Sequence, residues 1–217
     1  MTILRSLLVS RLTDSAGAPV AAPLLATTIP VGNDPYWLAA TPNGRYVYVP
    51  NRDSDTVSVI DTTTNTVIRN PITFGRYPQV VAVTPNGSRV YVTNSNSDTV
   101  SVIDTTTNTV VTTIPVGTFP AHLVVVPDGS RVYVANGLSD TVSVIDTTTN
   151  TVIATIPVGN VPLVMAVAPN GSRVYVPNRG SDTVSVIDTA TNTVIATIPV
   201  GNDRRSHWWR QTGAAST

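Results

Sequence analysis

The chain has 217 residues, 41% apolar and only 12% charged, so it can bury a sizeable core and does not have the composition of a disordered chain. It contains no Cys, which excludes disulfides, thiolate metal sites and cysteine nucleophiles. All 13 basic residues are Arg and all 13 acidic ones Asp, and the formal net charge of zero leaves no electrostatic footprint for nucleic acid or an anionic membrane.

With no Lys or Glu, two strong helix formers are missing, while Val and Thr, which suit a pleated surface, are abundant. Met1 to Val9 is apolar apart from Arg5, but Arg11 and Asp14 follow at once, so the segment reads as a frayed leader rather than a cleaved signal peptide. Residues 1–23 carry no periodicity and are expected to form a poorly ordered arm. No apolar run approaches the roughly 18 residues of a spanning helix.

From Leu24 onward the chain repeats itself. Gly32, Gly75, Gly117, Gly159 and Gly201 fall 42 or 43 residues apart, and Ser139 to Asn160 returns at Ser181 to Asn202 with one change, Thr148 becoming Ala190. A fixed period of that length marks a repeat architecture. Residues 24–31 (LLATTIPV) match the end of later units and read as a lone strand; the full units then span about 33–75, 76–117, 118–159 and 160–201.

Each unit carries four short apolar runs separated by turn signals. In the third, Ala121 to Val126 is followed by the turn Pro127-Asp128-Gly129, then Arg131 to Ala135, Thr141 to Ile145 and, after the turn Asp146 to Asn150, Thr151 to Val158. Pro presets φ and Gly tolerates positive φ, while Asp and Asn side chains bond nearby backbone. The near-continuous apolar first runs, Leu123 to Val126 and Met165 to Ala168, suggest an inner strand buried on both faces. Four antiparallel strands per unit without helices predict an all-β fold, a β-propeller of about four four-stranded blades, with a β-solenoid as the alternative.

The second strands read Tyr48 to Asn51 (YVPN), Tyr91 to Asn94 (YVTN), Tyr133 to Asn136 (YVAN) and Tyr175 to Asn178 (YVPN), each followed by SVIDT. With the TPNGSR-like turn before them, residues 24–202 resemble the YVTN family of β-propeller repeats. The resemblance implies a protein of bacterial or archaeal surfaces or the periplasm, typically seven-bladed and mostly without assigned enzymatic activity.

After residue 202 the repeat stops, and residues 203–217 resemble nothing upstream. Read one base along, the codons of this tail permit L-V-A-P-D-G-S-R-V-Y, whose Pro falls ten positions after Gly201, as Pro169 falls ten after Gly159. The tail is therefore expected to be a frameshift product of a longer, truncated propeller. The alternative is a genuine basic, aromatic tail anchored by Arg204, Arg205, Trp208 and Trp209. Four blades leave unpaired apolar faces, which self-association would cover. A dimer closing an eight-bladed ring is the expectation, with a four-bladed monomer as the alternative.

Near-identical repeats make their differences informative. Two regions vary: the lead-in to each first strand and the loop after each second strand. Alternate turns of a meander share an end, so both should converge on one face. The candidate ligand- or partner-binding residues there are Tyr36, Trp37, Arg52, Asp53, Arg76, Tyr77, Gln79, Ser95, Asn96, Phe119, His122, Leu138 and Arg179. Aromatic rings would bury against a protein or glycan partner while the arginines supply fork-shaped donors. Neutral drift of exposed turns is the competing explanation. His122 is the one His within the repeats, so no metal site is expected. No catalytic residue and no cofactor are predicted either: the mid-strand Ser58, Ser101, Ser143 and Ser185 have no His partner, and there is no Gly-rich phosphate loop. The expected function is a non-catalytic scaffold for protein or glycan contact. The alternatives are a fragment with no evolved ligand, and an enzyme or cofactor binder using a central channel.

Overall fold

The computed structural model describes residues 28–68 and 71–201, and the strands named below lie in the compact unit that begins at Val31. Expectations for residues 1–23 and 203–217 fall outside the described residues. The lone strand expected at residues 24–31 does so for its first half, and Thr28 to Val31 lie in no strand.

The chain builds β-propeller blades, four antiparallel sheets in sequence order. The first holds β1 (Ala39–Ala40), β2 (Tyr46–Asn51), β3 (Thr56–Asp61) and an outer strand split into β4 (Thr66–Val67) and β5 (Ile72–Thr73), both paired with β3. The second holds β6 (Pro78–Val83), β7 (Arg89–Asn94), β8 (Thr99–Asp104) and β9 (Thr109–Pro115). The third holds β10 (Pro120–Val125), β11 (Arg131–Asn136), β12 (Thr141–Asp146) and β13 (Thr151–Pro157), and the fourth β14 (Ala166–Val167), β15 (Arg173–Asn178), β16 (Thr183–Asp188) and β17 (Thr193–Pro199). The only helical turn among the described residues is a 3₁₀ turn at Arg52–Ser54.

Two departures from the expected pattern have physical causes. The split outer strand belongs to the unit that is one residue longer than the others, and Pro71 within it has no N–H to give a ladder. The inner strands of the end blades, β1 and β14, are two residues long where β6 and β10 have six. Burial on both faces holds for the middle blades, where Val80 and Val81 of the second and Leu123 and Val126 of the third are buried. It fails in the fourth, where Met165 is buried but Ala166 is exposed, because no neighbouring blade covers that side among the described residues.

The turns behave as their residues dictate. The amide of Gly129 donates to the Val126 carbonyl at 2.8 Å, and Gly129 sits at φ +75°, a left-handed value that glycine adopts without a Cβ penalty. In the turn from β12 to β13, Asp146 Oδ1 accepts the amides of Thr148 and Thr149 at 2.9 and 3.0 Å. These backbone donors hold the Asp146 carboxyl below the ordinary carboxylate range. Asn150 closes the turn at φ +53°.

Core formation happens between blades. One cluster joins Tyr48, Val57 and Val59 of the first blade to Val81, Val90, Val92 and Ile103 of the second. A second joins Val80, Tyr91, Val100, Val102 and Ile114 to Leu123, Val132, Val134 and Ile145, and a third joins Tyr133, Val142, Val144 and Ile156 to Met165, Val174, Val176 and Ile187. Alternation along each strand sends one set of Val and Ile forward and the other back, so each inner blade contributes to two clusters.

Candidate functional site

In every blade the lead-in segment and the loop after the second strand are tied by backbone hydrogen bonds. Arg52 donates to the Asp34 carbonyl (3.1 Å), Ser95 and Asn96 to Tyr77 and Arg76 (3.0 and 3.2 Å), Gly137 and Leu138 to Phe119 and Thr118 (2.9 and 3.2 Å), and Arg179 to Val161 (3.2 Å). The two variable regions therefore do share one end of each sheet, held on rigid strands as binding loops commonly are.

The side chains there fall into three groups. Arg52 is engaged by its neighbours. Its guanidinium carbon lies 3.0 Å from the ring centroid of Tyr36 and 5.3 Å from that of Tyr77, and its Nη1 donates to the Tyr77 hydroxyl at 3.3 Å and lies 3.7 Å from Asp34 Oδ2. A cation between two ring faces is well placed for the ring quadrupoles. Gln79, Ser95 and His122 form the second group, turned inward. The Ser95 hydroxyl lies 2.7 Å from Gln79 Oε1 and 2.9 Å from the Pro120 carbonyl, with one proton for the two. His122 is buried on β10, which depresses its pKa, so the imidazole is neutral. Its ring meets Trp37 of the first blade edge-on, with centroids 5.8 Å apart.

The third group is open to solvent: Tyr36, Trp37, Leu138, and the charged or amide side chains of Asp53, Arg76, Asn96 and Arg179, with Phe119 partly exposed. Pro35, Tyr36, Trp37, Leu38 and Val49 line a shallow apolar hollow on the first blade. Among the described residues no group of three or more His, Asp or Glu could hold a metal ion, and no helix is long and apolar enough to cross a membrane.

Sequence reasoning did not assign the residues that join the blades. In the first three blades the Tyr of the second strand reaches the Asn that closes a turn in the next blade: Tyr48 to Asn108, Tyr91 to Asn150 and Tyr133 to Asn192, hydroxyl to Oδ1, at 2.6, 2.7 and 2.7 Å. The Asp of the first three Ser-Asp-Thr turns accepts a lead-in amide of the next blade. Asp55 takes it from Tyr77, Asp98 from Phe119 and Asp140 from Val161, at 2.7, 2.9 and 2.8 Å. Those three donors sit at φ +58°, +55° and +55°, costly for Val161 with its branched Cβ, and the carboxylate bond helps to hold them there. No sequence signal pairs them, since Tyr and Asn each recur once per unit and every spacing between them recurs too.

At the opposite end, Arg89 pairs with Asp104 (2.5 Å) and Arg173 with Asp188 (2.6 Å), each within its own blade. Arg131 instead donates to the carbonyl of Thr189 in the next blade.

Two family models match parts of the chain, each covering less than half of it: a YNCE-like β-propeller over residues 76–159, and a lactonase, seven-bladed β-propeller, over residues 24–115. No curated protein matches. Among solved structures, the chain is similar to the hydrazine synthase of Kuenenia stuttgartiensis, with 26% identity and a TM-score of 0.72 over 82% of this chain and 52% of that one. It is also similar to a functionally unknown protein from Desulfotomaculum acetoxidans, with 21% identity and a TM-score of 0.62 over 75% of this chain and 55% of that one. The chain thus spans little more than half the length of these structures.

Proposed function

We propose that the chain is a non-catalytic β-propeller scaffold that contacts a protein or glycan partner through its variable face and self-associates to complete a ring, two copies giving eight blades. The observation that carries this reading is the set of backbone bonds tying each variable loop to its lead-in, with exposed aromatic rings on the lead-ins and an exposed Arg on each kind of segment. Rigidly held aromatic rings bury area at low entropic cost, and unpaired guanidinium groups recognise carboxylates or hydroxyl pairs. Arg52 belongs to the support, because Tyr36 and Tyr77 already enclose it. Arg76 and Arg179 take the donor role, as their side chains are exposed and make no hydrogen bond among the described residues.

A lactonase-like propeller and a hydrazine synthase are enzymes by name, but their whole-chain activities do not carry over to a chain of this span. His122 is buried and turned to Trp37, a packing role rather than that of an exposed general base. Glycan and proteome arrays test the reading. Binding that disappears in the Trp37→Ala, Arg76→Ala double variant is the expected result; arrays silent for the native chain, or binding unchanged in the variant, would overturn it.

A further inference from the structure

Three blade-to-blade seams repeat one plan: an apolar face of one blade on an apolar face of the next, a Tyr hydroxyl on an Asn Oδ1, and an Asp Oδ1 on a lead-in amide. The first and fourth blades each show the half of this plan that no neighbour fills among the described residues.

On the fourth blade, the residues one repeat beyond the buried Tyr133, Ala135 and Ile156 are Tyr175, Pro177 and Ile198. Tyr175 is 41% exposed and Ile198 47%, where Tyr133 is 0% and Ile156 4% exposed. The Tyr175 hydroxyl has no Asn on it among the described residues, where that of Tyr133 has Asn192. The first blade shows the complement. Leu38, the counterpart of the buried Val81, Leu123 and Met165, is 62% exposed. Asn65 closes its turn at φ +55° with no Tyr hydroxyl on it among the described residues.

Resting on the self-association reading above, we infer that the occupant of each free face is the other free face of a second copy. The fourth blade of one chain docks head to tail on the first blade of the next, in the register of the internal seams. Tyr175 then donates to Asn65 of the partner copy, and Ile198 enters the cluster with Leu38, as Ile156 does with Met165 and Ile114 with Leu123. Continuity with three interfaces inside one chain selects this occupant over an unrelated protein, which would have to reproduce the same Val and Ile spacing. Head-to-tail contact is heterologous, and two such contacts close a ring of two copies.

The experiment uses the full chain, Ile198→Arg and Leu38→Asp, each by light scattering, alone and mixed. Both positions are exposed in a single chain, so each variant is expected to keep the native far-ultraviolet spectrum. The native chain should have twice the 22.8 kDa chain mass. Each variant alone should be a monomer, because every seam then has one spoiled face. Their mixture should regain the two-copy mass, since one seam is native on both sides and the other pairs Arg with Asp.

A variant alone that stays dimeric would overturn head-to-tail docking while leaving self-association standing. A monomeric native chain would end both, without touching the variable-face reading. Should either charged variant lose its native spectrum, Tyr175→Phe decides the matter. It removes one hydrogen bond from each of the two seams, so the dissociation constant should rise about tenfold to a hundredfold, and no change there would refute the register.

Discussion

Replacing Tyr91 with Phe isolates one bond of one seam. The Tyr91 side chain is fully buried and its hydroxyl lies 2.7 Å from Asn150 Oδ1, on a turn of the following blade. Phe keeps the ring and its packing, so the loss is one hydrogen bond with its acceptor left on a half-buried Asn. A net contribution of about 1 kcal/mol is expected, which for a domain of this size lowers the thermal midpoint by about 2–4 °C. Tyr175→Phe is the matched control, because the Tyr175 hydroxyl has no such partner within the chain and its removal should leave the midpoint of the monomer unchanged. Differential scanning calorimetry at concentrations low enough to hold single chains compares the two. Equal shifts for both variants, or none for Tyr91→Phe, would refute the claim that these tyrosines join blades.

The same tyrosines predict an alkaline limit. Burial pushes the Tyr48 and Tyr91 hydroxyls up to about 12, so the folded chain holds these protons more tightly than the unfolded one, whose tyrosines titrate near 10. Their contribution is therefore intact below pH 10 and lost as the pH rises through 12; tyrosinate absorbance and unfolding should appear together in that window, and ionisation of all tyrosines near pH 10 in a folded chain would contradict it. Gly75→Ala should destabilise by about 1–3 kcal/mol, since an added Cβ would lie 2.6 Å from the Asn94 side chain, whereas Gly201→Ala meets nothing within 4 Å and should be neutral in urea unfolding. Leu123→Ala, at a buried site within a seam, should cost about 2–5 kcal/mol, against less than about 0.5 kcal/mol for the exposed Leu138→Ala; similar costs at the two would count against seam burial as the source of stability.

Much of the fold was legible because the repeat displays its own punctuation. Pro-Asn-Gly or Pro-Asp-Gly, the Asp-Thr-Thr-Thr-Asn turn and the closing Gly bracket every strand of the inner blades to within a residue or two. The one-residue excess of the first unit did not say that its outer strand would split, because only the ladder shows β4 and β5 pairing separately with β3. The convergence of the two variable regions followed from meander geometry. What the side chains do there did not: nothing in Arg52 as a letter says that Tyr36 and Tyr77 enclose it, or that His122 turns inward to meet Trp37 from two blades away. The seam residues escaped for a related reason. The Tyr in YVTN and the Asn of the turn read as strand and turn formers, and their partnership appears only once one blade is laid on the next.

The central claim is that blade-to-blade seams carry the stability and that the end blades hold two unfilled halves of the same seam. Amide hydrogen exchange at two protein concentrations tests it most directly. Exchange in β7, β8, β11 and β12 should be slow at both concentrations, and exchange in β15 and β16 fast when dilute and slower as copies associate. Uniform protection across all four sheets, indifferent to concentration, would contradict it.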